Sequence, residues 1–410
     1  MLTLEEALAQ LLAAARPVAQ TESVATEDAG GRVLARAQVA RVDVPPLDNS
    51  AMDGYALRAA DVPVAGTRLT VAQRIAAGSV GARLAPGTAA RIFTGAPLPE
   101  GADAIVMQEL CRAEADDGER GSALGTVVID HLPSPGEWIR RRGEDIASGC
   151  EILAAGTRLL PQQLGLAAAI GAAALPVFRR LRVAVFSTGD ELVMPGAVAP
   201  EAMPAGAIYN SNRALLIGLL RQLQCEVVDL GIVPDSLEAT RAALRRAAAG
   251  VDLIVSSGGV STGEEDHVKP AVTAEGSLAL WRIAIKPGKP LAHGSVGAAA
   301  FIGLPGNPVS SLVTFLLLVR PFILKAQGAT ATAQRRLTLR ADFDWPKPDA
   351  RREFLRVRRN DEGGLDLFAN QNSSVLTSAV WADGLLDNPP GRAIVRGDAV
   401  SFLPFADLLY

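Results

Sequence analysis

Between residues 181 and 328 this chain alternates short apolar runs with helical stretches, and that rhythm limits its fold more than any other feature. Residues 182–186 read as a buried strand, 213–224 as a helix, 226–232 as a strand, and 236–249 as a helix opened by Pro234-Asp235. Residues 253–256 and 299–304 are further strands, and a long helix follows Pro308. Such alternation folds as a mainly parallel sheet with helices on both faces. Ligands of such sheets bind beyond the carboxyl ends of the strands. The motif loops singled out below in this stretch are all expected to follow strands.

The flanks have a different texture. Thr3-Leu4-Glu5-Glu6 is a capping-box pattern, and Leu4, Leu8, Leu11, Leu12 and Ala15 keep helical spacing. Short β-type runs between Gly/Pro turns fill 41–140, and a second helical stretch at 160–171 is expected to pack with the first helix. After 328 the runs 336–341, 354–358 and 365–368 read as strands of a compact β domain. At 410 residues, ~2–4 domains are expected. The reading is a multidomain α/β plus β protein. Its parts are an N-terminal element of 1–40 with 141–178, an inserted β domain at 41–140, the α/β domain at 179–328 and a C-terminal β domain at 329–410.

Composition excludes several function classes. A net charge of −4 leaves no footprint for nucleic acid or an anionic membrane. The longest strongly apolar helix candidate, 312–319, is short of the ~18–20 residues a membrane span needs. Glu5 and Glu6 stand where an export signal would be basic, so a cytoplasmic location is expected. Cys111, Cys150 and Cys225 are scattered, as are His131, His267 and His293. That argues against a disulfide framework or a Cys/His metal site, and leaves a hard cation held by carboxylates and phosphate.

Four loops carry the candidate chemistry. Ser257-Gly258-Gly259-Val260-Ser261 ends a strand, and paired glycines let backbone N–H groups approach a phosphate. Pro305-Gly306-Asn307-Pro308 ends another strand and starts a helix, where the helix dipole favours an anion. Lys286-Pro287-Gly288-Lys289-Pro290 holds two of only five lysines in a stiffened loop. Two such neighbouring charges are unfavourable unless an anion neutralises them, so the loop reads as an oxyanion site. Ser187-Thr188-Gly189-Asp190-Glu191 adds carboxylates at the same sheet edge, as do Asp235 and Asp266. Carboxylates beside phosphates repel them unless Mg²⁺ bridges the two.

These segments together resemble the molybdopterin molybdenumtransferase family. The resemblance rests on Asp48-Asn49-Ser50-Ala51-Met52-Asp53-Gly54-Tyr55-Ala56, Phe93-Thr94-Gly95-Ala96-Pro97-Leu98-Pro99 and Arg142-Gly143-Glu144-Asp145-Ile146, followed in order by the four loops above. It implies an elongated four-part subunit, a homodimer, and Mg²⁺-dependent insertion of molybdate into molybdopterin adenylate with release of AMP. It maps the molybdate pocket to Lys286, Lys289 and Pro290 with Arg352 and Ser373. The pterin phosphate and adenylate map along Thr188, Gly189, Gly258, Gly259, Val260, Ser261, Gly306 and Asn307. Asp190, Glu191, Asp235 and Asp266 become the metal and polar carboxylates, with Asp53, Thr94 and Asp145 supplied by the inserted region. Lys286, Lys289, Asp53, Glu191, Asp235 and Asp266 form the expected catalytic set. Molybdopterin-handling proteins and molybdoenzyme recipients are the implied partners. Two rival readings remain: a molybdopterin adenylyltransferase, and a non-catalytic molybdopterin carrier or scaffold.

Overall fold

The computed structural model describes residues 1–114, 124–260 and 267–409. Its chain forms two compact units. The larger comprises Met1–Arg36, Ala155–Leu160 and Leu175–Tyr410; the smaller comprises Ala37–Ala154 and Pro161–Ala174.

The larger unit is organised by a six-stranded sheet in the order Glu226–Val233, Arg182–Thr188, Leu253–Ser257, Ala299–Leu304, Pro290–Val296, Gly276–Arg282. The first four strands are parallel, and the last two continue the sheet antiparallel. The two antiparallel strands escape a reading tuned to strand–helix alternation, because a Gly/Pro-rich loop and not a helix connects them. Alternate residues serve opposite faces. Val183, Val185, Leu253, Val255, Ile302 and Leu304 pack with Leu216, Leu219 and Leu220 of the Ser211–Gln222 helix and with the long helix after Asn307. Ala184, Phe186, Ile254 and Phe301 pack instead with Ala243, Leu244 and Ala247 of Leu237–Ala248 and with Val268, Ala271 and Val272 of Val268–Glu275. Each large side chain withdrawn from water here contributes ~1.5–3 kcal/mol.

The long helix, Pro308–Ala326, is 19 residues with a π-helical stretch at Phe315–Val319. It is therefore longer than the apolar run at its centre suggested, and long and apolar enough to cross a membrane by length and composition. It is 94 % buried inside this fold. The sequence reading stopped the apolar stretch at Arg320, which is itself buried, with burial pushing its guanidinium down to about 10. The N-terminal helix, Leu4–Ala14, has the capping box read from Thr3 and Glu6. It buries Leu4, Ala7 and Leu11 in the core that holds the long helix. The expected partner, found as Pro161–Ala169, belongs to the smaller unit.

The C-terminal strands close into a barrel. Arg352–Arg359, Gly364–Leu367, Leu337–Ala341, Ala399–Pro404 and Gly384–Asn388 pair in that order, and the last returns to the first. The short strand Ile285–Lys286 joins its edge, parallel to Arg352 and Glu353. In the smaller unit a six-stranded sheet runs Ala104–Met107, Gly54–Leu57, Thr88–Ile92, Thr67–Ile75, Thr126–Ile129, Cys111–Glu114.

Candidate functional site

The four parallel strands bring their carboxyl ends to one edge of the central sheet, so the motif loops gather there. The Leu253–Ser257 strand runs into Gly258 and Gly259, both at positive φ (+90° and +68°). A Cβ on Gly259 would sit 2.2 Å from Val268, and one on Gly258 would sit 3.0 Å from the Thr188 carbonyl. These glycines are thus required by backbone angle and by space, whatever they bind. Thr188, Gly189, Gly258, Gly259, Val260, Gly306 and Asn307 all lie at this edge; Ser261 and Asp266 lie outside the described residues.

Asp190 and Asp235 follow neighbouring strands and meet: the Asp235 N–H donates to Asp190 Oδ1 at 3.4 Å. The Glu191 carboxylate folds back over Gly189, where a Cβ would come within 2.4 Å of it. Among the described residues no three His, Cys, Asp or Glu side chains gather closely enough to hold a metal. A pair of carboxylates still suits Mg²⁺, which usually takes one or two from protein and completes its shell with phosphate and water. Asp190 and Asp235 supply the right ligand type for that, at the ends of adjacent strands.

The lysine loop lies where the sheet, the long helix and the barrel converge. Its ends are tied by the Ile283 N–H donating to the Lys289 carbonyl at 2.8 Å. A Cβ on Gly288 (φ +113°) would meet Thr314 Oγ1 of the long helix at 2.5 Å. Lys286 Nζ sits 3.3 Å from Glu353 Oε1 and 3.4 Å from Asp349 Oδ2. The anions that neutralise Lys286 are thus the chain's own carboxylates, which the loop alone could not show. Lys289 is exposed and has no ion-pair partner among the described residues.

The arginines of the C-terminal barrel are held by partners of their own. The Arg352 guanidinium is spent on Asp387 and Glu5. The guanidinium that reaches the loop of Ser373 belongs to Arg356. It donates to the Asn372 carbonyl at 3.4 Å and, through Nε, to Ser378 Oγ at 3.1 Å. Arg356 is 1 % exposed and has no carboxylate partner among the described residues, and burial pushes it down to about 10. The Ser373 carbonyl accepts the Val309 N–H at 3.0 Å, so this loop caps the start of the long helix. One backbone donor expected to face an anion is therefore already taken.

In the smaller unit Asp53 and Thr94 do come together. Asp53 Oδ1 accepts from the Thr94 N–H at 2.7 Å and from Thr94 Oγ1 at 2.8 Å. The backbone bond, then the hydroxyl, hold this carboxyl below its ordinary range. Gly54 begins a strand, and a Cβ there would lie 2.0 Å from the Val106 carbonyl. Asp145 is exposed, with its N–H bonded to the Val44 carbonyl.

Comparison with known proteins accounts for nearly the whole chain. Residues 2–171 match the MoeA N-terminal region (domain I and II), 184–325 a probable molybdopterin binding domain, and 338–405 the MoeA C-terminal region (domain IV). A molybdopterin molybdenumtransferase of Haemophilus influenzae is 43 % identical over 416 residues, covering 100 % of both chains. The chain belongs to the molybdopterin molybdenumtransferase family. A second relative, molybdopterin molybdenumtransferase 2 of Mycobacterium tuberculosis, is 37 % identical over 94 % of each chain. The crystal structure of the molybdopterin biosynthesis moeA protein from Pyrococcus horikoshii superposes with a TM-score of 0.82 at 28 % identity, covering 98 % of this chain and 100 % of that one. The α/β fold with its C-terminal β domain is the fold of that family.

Two polar residues at this sheet edge were missed by sequence reasoning. Asn210 caps the Ser211–Gln222 helix, and Asn212 in its first turn donates to Ser257 Oγ at 2.7 Å and to the Gly306 carbonyl at 2.6 Å. Asn212 therefore ties the two phosphate-type loops together. Its Oδ1, Asn210 Nδ2 and Ser256 Oγ are buried without a partner among the described residues. Two asparagines within three residues, directly before a helix at the carboxyl edge of a sheet, were the available signal.

Proposed function

We propose that this chain transfers molybdenum from molybdate to molybdopterin adenylate, releasing AMP and forming molybdenum cofactor. The observation that carries the reading is a convergence. The lysine loop is bonded to the barrel edge, packs on the long helix, and shares that helix with the Ser373 loop. A tetrahedral dianion needs fixed cations and donors in a partly dry pocket. Lys286 and Lys289 would supply the charge, and the Ser373 loop, held by Arg356, the donors. Lys289 carries the unpaired charge, while Lys286 and Arg356 are held in place by the barrel. The glycine loop and Gly306-Asn307 would seat the phosphates, with Asn212 fixing their spacing.

Asp190 and Asp235 would hold Mg²⁺, which when bound neutralises the pyrophosphate linkage and polarises it for cleavage. No protein nucleophile is required. Cys225 and Cys111 are both pushed up to about 12, chiefly by burial, so neither is a thiolate at neutral pH. The pterin's own sulfurs would take the metal. Homodimer formation, a binding role for Asp53 and Thr94 in the smaller unit, and a cytoplasmic location belong to this proposal.

The test is AMP release from molybdopterin adenylate with Mg²⁺, with and without molybdate. The expected result is molybdate-dependent AMP release with molybdenum retained on the pterin. Binding without release under any molybdate concentration overturns the transferase reading in favour of a carrier. AMP transfer from ATP to molybdopterin would favour the adenylyltransferase.

A further inference from the structure

Lys286 does not stand alone in its loop. Glu353, which faces it across a parallel strand pairing, is 0 % exposed. Its Oε1 accepts from Lys286 at 3.3 Å; its Oε2 accepts from Trp345 Nε1 at 2.8 Å and from Asn388 Nδ2 at 3.4 Å. The other carboxylate near Lys286, Asp349, is already occupied by a two-pronged bond from Arg351 at 2.9 and 3.0 Å and by the Arg351 N–H. Lys286 is the one cation in ion-pair contact with Glu353 among the described residues. A carboxylate withdrawn from water is tolerated only when paired and hydrogen-bonded. The barrel therefore demands that Lys286 reach into it.

We infer that Glu353 is the positioning residue of the oxyanion pocket. From inside the C-terminal barrel it fixes the Lys286 ammonium, so that Lys286 contributes direction and Lys289 contributes the uncompensated charge. Three features of the loop agree. Backbone pairing of Ile285–Lys286 with Arg352 and Glu353 sets the register of the two side chains. The Arg352 N–H donates to the Ala284 carbonyl at 3.0 Å, and the Ala284 N–H donates to the Leu2 carbonyl at 2.8 Å, so the strand is held from both sides. The exposed Lys289 shares none of these restraints. A Lys at position 286 can follow a carboxylate with a compact ammonium, whereas a planar guanidinium would need a two-pronged partner.

The inference rests on the transferase reading for its kinetic consequence and not for its structural one, and the two are separated by experiment. The chain has five lysines, so amine acylation followed by peptide mass spectrometry reports each separately. In the full-length protein, Lys286 should acylate at least fivefold more slowly than Lys289, and Glu353→Gln should remove most of that protection. Equal labelling of Lys286 in wild type and Glu353→Gln overturns the proposal, whatever the enzyme's activity. With molybdate and molybdopterin adenylate, Glu353→Ala should raise the molybdate KM about tenfold with a smaller change in kcat. Glu353→Gln, which keeps an acceptor, should recover part of it. Glu353→Ala placed in Lys286→Ala should add no further change to KM, because the residue acts through that lysine. Additive losses in the double variant would mean that Glu353 serves the barrel alone. Thermal melting of each variant identifies any that fail to fold, and Glu353→Gln then carries the test.

Discussion

The carboxyl edge of the central sheet and the wall of the C-terminal barrel face chemistry in opposite ways. At the sheet edge, carboxylates are left open: Asp190 and Glu191 are exposed, and Asn212 Oδ1, Asn210 Nδ2 and Ser256 Oγ are buried without a partner among the described residues. In the barrel, three buried or half-buried carboxylates are closed on cations: Glu353 with Lys286, Asp387 with Arg352 and Arg336, Asp349 with Arg351. An open carboxylate has capacity to bind a cation. A paired one has little to spare, but it holds its partner in place. The difference teaches that charge near a site is no measure of charge available to a ligand.

Removing the cations of the pocket tests that contrast most severely. Lys286→Ala and Lys289→Ala are each expected to lower kcat/KM for molybdate by about 100-fold, or ~2.7 kcal/mol of transition-state stabilisation. Unchanged turnover in both would remove the lysine loop from the chemistry.

The two barrel arginines sharpen it. Arg356→Met should raise the molybdate KM about tenfold, ~1.4 kcal/mol, since it frees the Ser373 loop. Arg352→Met should leave KM within about threefold and lower the melting temperature instead, because its guanidinium serves Asp387 and Glu5. The reverse order would restore Arg352 to the pocket.

Acid should distinguish the regions too. The Arg351 guanidinium, outweighing burial, holds Asp349 well below the usual carboxylate range. A depressed carboxyl contributes stability that is full above its unfolded value near 4 and is lost as pH falls toward the folded one. Melting temperature should therefore drop between pH 5 and pH 3, and drop less in Asp349→Asn. An identical acid profile in the variant would show that this pair does not matter to stability.

A last pair of variants reads stability alone, at two glycines. Gly259→Ala forces a Cβ against Val268 at a positive φ and should cost about 2–4 kcal/mol by denaturant titration. Gly165→Ala, within the Pro161–Ala169 helix and with nothing within 4 Å, should gain about 0.5–1 kcal/mol.

Much of this was readable beforehand. Arg182–Thr188, Glu226–Val233, Leu253–Ser257 and Ala299–Leu304 declare themselves through apolar runs, and the glycine motifs fall where these strands end. What sequence could not supply is long-range. Glu353 lies 67 residues from Lys286, so the loop's charges looked unanswered when read alone. Strand closure between Arg352–Arg359 and Gly384–Asn388 likewise depends on register across a barrel. Arg352 and Arg356 lie on one strand and differ only in what the fold sets opposite each.

The long helix carries a consequence for how the chain is made. A nascent Pro308–Ala326 leaves the ribosome looking like a segment bound for a lipid bilayer. By then the N-terminal helix and all six strands of the central sheet have already been synthesised, and they form the surface that takes it in. Order of synthesis thus places most of the receptor for the apolar segment ahead of the segment, and the barrel side chains Phe354, Leu385 and Leu403 that complete the core come after it.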